Sequence, residues 1–276
     1  SLAFWMLAYN KPKPKTEEDQ REDAVYFCSV ENDTHDDLVW FYRKCYYHEY
    51  GSEPELRIKS DEWRKQATEY IMNFASSRGW TLIMERYLPS KLTADILIRR
   101  MDYLNKKYRL RLTVMDYLGK VSPPQGLQRD QQMEQLYTDV CSWTKTTGIT
   151  FWTAHQTNTN FTTDTMAKSN KVKYGADRHI KDGPAVIREV DIVIFVLKEE
   201  SNFGKEFLTL CKVKDRYNGD TTPLIDKYCA YEFVEPGIGG IPDDLNKETI
   251  TYVRDINDVK DESFDASGTS AQAFAF

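Results

Sequence analysis

The sequence predicts an α/β protein: a mostly parallel sheet flanked by helices, with an antiparallel hairpin at one edge. Short apolar runs rich in β-branched and aromatic residues recur at 24–30, 80–85, 110–115 and 149–154. Between them lie segments with helical spacing and helix punctuation, the alternation expected of βαβ units. The hairpin is predicted by the apolar runs 207–213 and 228–234, which a polar stretch separates.

The elements follow in order. Residues 2–9 are almost wholly apolar, as in a helix buried on all sides. This run is too short to span a bilayer and lacks the basic lead-in of a signal peptide. Pro12, Pro14 and the charged run 15–23 make a solvated loop, and 24–30 is a strand ending at Glu31. Asp33 and Thr34 can cap a helix over 36–48. Residues 60–78 read as a helix ended by Gly79, and 80–85 as a strand. A helix over 93–107 precedes the strand 110–115, which ends at Asp116. Pro123, Pro124 and Gly126 break the chain before a helix over 130–147 that Gly148 stops, and 149–154 is the next strand.

Residues 157–183 form a long polar stretch without apolar period, the kind of loop that is functional or mobile. The run 191–197 (DIVIFVL) reads as a fully buried strand, and the hairpin follows. Two regions are expected: a domain over 1–235, and a flexible acidic tail over 236–276. No internal repeat is visible.

Composition narrows the class. With 276 residues, 41% hydrophobic and 13% aromatic, the chain can bury a sizeable core. A charged fraction of 29% and no long apolar stretch predict a soluble, cytoplasmic protein without membrane contact. Cys28, Cys45, Cys141, Cys211 and Cys229 are odd in number and show no C-x-x-C spacing, which favours reduced thiols. Four scattered histidines give no zinc-ligand pattern. Of the net charge of −6, the tail over 236–276 carries −5, so the nearly neutral body can still hold basic loops for nucleic acid.

Several residues could carry chemistry. Residues 112–116 form an apolar strand delivering the Asp116 carboxylate to its C-terminal edge, where ligands bind in open α/β sheets. A carboxylate there can hold Mg²⁺ beside a nucleotide's phosphates, although a strand-end Asp can equally cap its loop. Glu31 ends a neighbouring strand and could polarise an attacking water, or simply be solvated. At Gln156 an amide can donate and accept at once and so sense a γ-phosphate, while His155 reads as a packing residue. Lys214 and Arg216, in a polar turn over 214–219, suit gripping phosphate; an ordinary β-turn is the bland alternative. In the long loop Lys168, Lys171, Lys173, Arg178 and Lys181 outnumber the acidic residues. They suit a phosphate backbone, with Gly183 allowing close approach, or else a merely solvated loop.

Taken in order, these motifs resemble the RecA-like motor domain of DnaB-type hexameric replicative DNA helicases, in a phage version. Ser29-Val30-Glu31-Asn32 resembles the family's Ser-Leu-Glu-Met, which supplies the catalytic glutamate. Val114-Met115-Asp116-Tyr117-Leu118 resembles the Walker B signature Ile-Asp-Tyr-Leu. Thr153-Ala154-His155-Gln156-Thr157-Asn158 resembles Ser-Gln-Leu-Asn, whose glutamine senses the γ-phosphate. Lys214-Asp215-Arg216-Tyr217-Asn218-Gly219 resembles Lys-x-Arg-Asn-Gly, whose arginine is a finger reaching the neighbouring subunit's ATP. Ser1-Leu2-Ala3-Phe4 looks like the end of the phosphate loop, with Ser1 as a Mg²⁺ ligand; the glycine-rich loop and its lysine are expected upstream of Ser1.

The resemblance implies a RecA-like P-loop ATPase core, ATP and Mg²⁺ as cofactors, and a homo-oligomeric ring acting 5′ to 3′ on single-stranded DNA. It also implies partners such as a primase, with the acidic tail as a docking segment for a polymerase or single-strand-binding protein. Two departures stand out. The finger turn is one residue longer than the family pattern, and Ile180-Lys181-Asp182-Gly183 replaces the DNA-contacting Arg-Glu-Ser-Gly. A RecA-type recombinase, or a ring component that binds nucleotide without turnover, shares the same sheet.

Overall fold

The computed structural model describes residues 2–56, 60–157, 180–181, 184–200, 206–217, 228–232 and 250–251. The chain forms two compact units, residues 1–155 and 156–276.

In the first unit the predicted alternation is present. Helix α1 (Leu2–Tyr9) precedes strand β1 (Asp23–Ser29), α2 (Thr34–Tyr50), α3 (Asp61–Ser76), β2 (Thr81–Arg86), α4 (Ala94–Lys107), β3 (Arg109–Asp116), α5 (Arg129–Thr147) and β4 (Thr150–Thr153). The four strands form a parallel sheet in the order β2-β1-β3-β4. All seven positions of β1 are buried, as expected for a central strand covered on both faces. Val25, Phe27, Leu112 and Val114 join Phe4, Leu7, Phe41, Ile71 and Phe74 in one apolar cluster. Since side chains alternate along a strand, Tyr26, Thr113 and Met115 face the other way, and α4 packs on β3 with α5 against α4.

The helix boundaries follow the punctuation in the sequence. Asp33 caps α2, accepting from His35 N at 3.3 Å. Ser60 caps α3 through Trp63 N at 3.1 Å, and Thr93 caps α4 through Ile96 N at 3.3 Å. Gly148 ends α5 at φ 70°, a left-handed conformation that glycine adopts without a Cβ penalty.

The second unit holds α6 (Pro184–Glu189), β5 (Ile192–Glu200), β6 (Glu206–Asp215), β7 (Tyr228–Glu232) and the short β8 (Ile250–Thr251). The antiparallel strands pair with one another as a four-stranded sheet, β5-β6-β7-β8.

Three expectations are corrected. Helix α1 is not buried on all sides: Ala3, Phe4 and Leu7 are buried, while Leu2 and Tyr9 are exposed, because only one side of the helix meets β1, β3 and α2. Strand β5 is not fully buried either. Phe195 is buried while Ile192, Ile194 and Val196 are exposed, Val196 at 60%, the alternation of an antiparallel sheet covered on one face. Nor do Lys214 and Asp215 sit in a turn. They extend β6, pairing with Val193 and Ile192, and only Arg216 and Tyr217 begin the turn.

Candidate functional site

The C-terminal edge of the parallel sheet is where side chains of chemical interest converge. Strands β1 and β3 are parallel neighbours with Ser29 opposite Asp116, and the pairing continues as Val30 N donates to the Asp116 carbonyl at 2.8 Å. Register therefore places Glu31, two residues beyond Ser29, beside the end of β3. The Asp116–Tyr117 peptide is cis. The turn after Asp116 is tied to the next strand, since Leu118 N donates to Thr153 Oγ1 at 2.8 Å.

Burial comes first and the charge of Glu31 second in pushing the Asp116 carboxyl above its ordinary value; a hydrogen bond from Asn32 opposes them. Asn32 Nδ2 lies 3.0 Å from Asp116 Oδ2 and 3.3 Å from Asp37 Oδ1. Asp37, in the first turn of α2, is itself buried, which raises its carboxyl as well. Glu31 Oε1 is 3.7 Å from Lys120 Nζ, both side chains about two-fifths exposed, so the pair adds little energy. His155 meets Tyr137 OH at 2.7 Å through Nδ1 and lies edge-on to its ring, in keeping with a packing role.

In the second unit, the long loop is closed at its base. Thr157 bridges Ile180, Lys181 N donates to the Gln156 carbonyl at 3.0 Å, and Lys181 Nζ donates to Gln156 Oε1 at 3.0 Å. Lys214 Nζ donates to the carbonyls of Ile187 and Arg188 at the end of α6. Arg216 Nη2 donates to the same Arg188 carbonyl at 2.7 Å, and Nη1 lies 2.8 Å from Asp191 Oδ1.

The structure thus brings Glu31 to Asp116, Gln156 to Lys181, and Lys214 to Arg216. Ser1, Lys168, Lys171, Lys173, Arg178 and Gly183 lie outside the described residues, as does the acidic tail apart from Ile250–Thr251. Sequence reasoning missed Asn32, Asp37, Lys120 and Asp191. Only Asn32 carried a signal, its place directly after Glu31.

A hard divalent cation such as Mg²⁺ fits the carboxylate oxygens here. Mg²⁺ takes one or two protein carboxylates and completes its shell with water and a nucleotide's phosphates. Accordingly, no group of three or more His, Cys, Asp or Glu among the described residues could hold a metal unaided. Nor is any helix among them long and apolar enough to cross a membrane.

Comparisons with known proteins point the same way. The family model described as "Divergent DnaB-like ATPase" matches residues 1–265. No curated protein sequence matches the chain. Among solved structures, an ATPase domain is similar with a TM-score of 0.55 at 13% identity, over 79% of this chain and 73% of that one. A DnaB-like replicative helicase, solved to show its interactions with primase, is similar with a TM-score of 0.53 at 13% identity. That match covers 77% of this chain and half of the other. At such identities the structural likeness speaks for the fold.

Proposed function

The chain belongs to the divergent DnaB-like ATPase family, and on that premise we propose that it is the ATP-hydrolysing motor of a ring-shaped replicative helicase. The observation that carries the reading is the placement of Glu31 and Asp116 at adjacent parallel strand ends, in the register Ser29–Asp116. Two carboxylates at that edge can divide the labour of phosphoryl transfer to water. Asp116 would hold Mg²⁺, with the hydroxyl of Ser1 as a second ligand, and the cation would supply neutralising charge to the phosphates. Glu31 accepts the proton of the attacking water, with Lys120 Nζ 3.7 Å from its Oε1.

Gln156 reads the γ-phosphate through its amide. Lys214 and Arg216 reach the ATP of the next protomer, so that turnover depends on assembly. Catalysis is then mainly electrostatic and positional. Lys168, Lys171, Lys173, Arg178 and Lys181, with Gly183, contact the backbone of single-stranded DNA, along which the ring moves 5′ to 3′. A hexamer, a primase partner and a replisome contact through the acidic tail complete the proposal.

The test is Glu31→Gln in the full-length protein. The substitution keeps shape and removes the base, so ATPase turnover should fall to background while ATP binding stays within a few-fold of wild type. Steady-state turnover comparable to wild type would remove Glu31 from the role of base. Asp116→Asn should weaken Mg²⁺-nucleotide binding as well as turnover.

A further inference from the structure

We infer that Asn32 is a positioning residue for the metal-binding carboxylate, with Asp37 as its anchor; the inference rests on the nucleotide reading above. One amide nitrogen, Asn32 Nδ2, serves two carboxylates, Asp116 Oδ2 at 3.0 Å and Asp37 Oδ1 at 3.3 Å. The amide group has two hydrogens, so one nitrogen can donate to both acceptors. Asn32 is also fixed through its backbone, where its carbonyl accepts from Arg86 Nε at 2.7 Å at the end of β2. Arg86 is itself placed by the β1–β2 ladder, opposite Ser29.

Asn32 is therefore held from β2 by Arg86 and from α2 by Asp37, and it presents its remaining donor to Asp116 at the end of β3. It also directly follows Glu31, so the same anchorage sets the backbone that carries the proposed base. Hydrogen bonds from outside the ligand shell orient the ligands of a metal site, and losing one costs roughly ten- to a hundredfold in metal affinity. Asp37 could also be only a favourable charge in the first turn of α2. That role would affect helix stability and leave the metal dependence alone, and the two roles separate experimentally.

The measurement is the Mg²⁺ dependence of binding of a fluorescent, non-hydrolysable ATP analogue to the full-length protein, with a thermal melt of each variant. Asn32→Ala should raise the half-saturating Mg²⁺ about tenfold, while analogue affinity in excess EDTA stays within about twofold of wild type. Asp37→Ala, which removes the acceptor that anchors Asn32, should shift the Mg²⁺ midpoint in the same direction by a few-fold. If Asn32→Ala does not fold, Asn32→Leu, close in shape and without donor hydrogens, reads the same shift. An unchanged Mg²⁺ midpoint in folded variants, beside a wild type that binds the analogue Mg²⁺-dependently, overturns the positioning role alone. So does a parallel loss of affinity with and without Mg²⁺. A wild type that binds no analogue at all would instead remove the nucleotide reading, and this inference with it.

Discussion

Arg216 is fastened to Asp191 twice: its Nη1 lies 2.8 Å from Asp191 Oδ1, and its backbone N–H donates to the Asp191 carbonyl at 2.9 Å. The Tyr217 hydroxyl donates to the other carboxylate oxygen at 3.2 Å. Asp191 directly precedes β5 and Arg216 directly follows β6, so one acidic residue fixes where the ladder ends and where the guanidinium begins. The second terminal nitrogen of Arg216 rests on the Arg188 carbonyl, at the negative end of the short helix α6. A phosphate on a neighbouring subunit would have to compete for both nitrogens.

If Arg216 acts in trans, Arg216→Ala should cut ATPase by about three orders of magnitude or more. Mixing that variant with Glu31→Gln should restore part of the activity, because mixed rings contain interfaces with both residues intact. Assay of equimolar mixtures, with ring formation checked by light scattering, reads the outcome. Failure of rescue in rings shown to be mixed would argue for a cis role.

The thiols of Cys28 and Cys45 make stability sensitive to alkali. Burial pushes each up to about 12 from an ordinary value of 9.0. The folded-state value is the higher one, so the stabilisation is fully present below pH 9 and is lost as pH rises from there towards 12. At pH 10.5 each thiol should have cost about 2 kcal/mol relative to pH 8. Urea melts across that range should show the loss, and Cys28→Ala and Cys45→Ala should each flatten the pH slope. An unchanged slope in the double variant would assign alkaline destabilisation elsewhere.

Gly79 offers a sharper structural test. Its φ is +80°, and a Cβ there would lie 2.8 Å from Pro12 Cγ. Gly79→Ala should therefore destabilise by about 1–2 kcal/mol from the left-handed backbone alone, with the clash against the proline ring in addition. Pro12→Ala in the same background should recover the part due to the clash. Equal stability of Gly79→Ala and wild type in a chemical melt would contradict this packing.

Much of the parallel sheet could be read from the sequence, because β1, β3 and α2 declare themselves through apolar runs and through a cap such as Asp33. The partnership of Glu31 with Asp116 was also in reach, since each ends an apolar run and such runs deliver residues to one sheet edge. What the sequence could not show was the third dimension of that edge. Asn32 and Asp116 are 84 residues apart, and their contact depends on β1 and β3 being neighbours in one register. Local pattern also misled at α1 and β5, where an unbroken apolar run suggested burial on every side. The protein covers only one side of each, and burial depends on what packs against a run as well as on its composition.

The last prediction concerns the loop whose base is closed by Thr157 and Ile180. Lys181 joins this loop to Gln156 through the hydrogen bond between Nζ and Oε1, so a cation proposed for DNA touches the amide proposed to sense the γ-phosphate. Replacing Lys168, Lys171, Lys173 and Lys181 together by Ala should weaken single-strand binding equally across sequences. The slope of log affinity against log salt should shrink by about 0.7 for each phosphate that is no longer neutralised. Lys181→Ala alone should leave one phosphate without its cation. It should also reduce the stimulation of ATPase by DNA more than it reduces binding, because it releases Gln156 as well. Fluorescence anisotropy at several salt concentrations, together with ATPase at saturating DNA, separates the two effects. An unchanged salt slope in the fourfold variant would make the loop a solvated surface. Stimulation that falls only in proportion to binding would leave the Lys181–Gln156 bond without a coupling role.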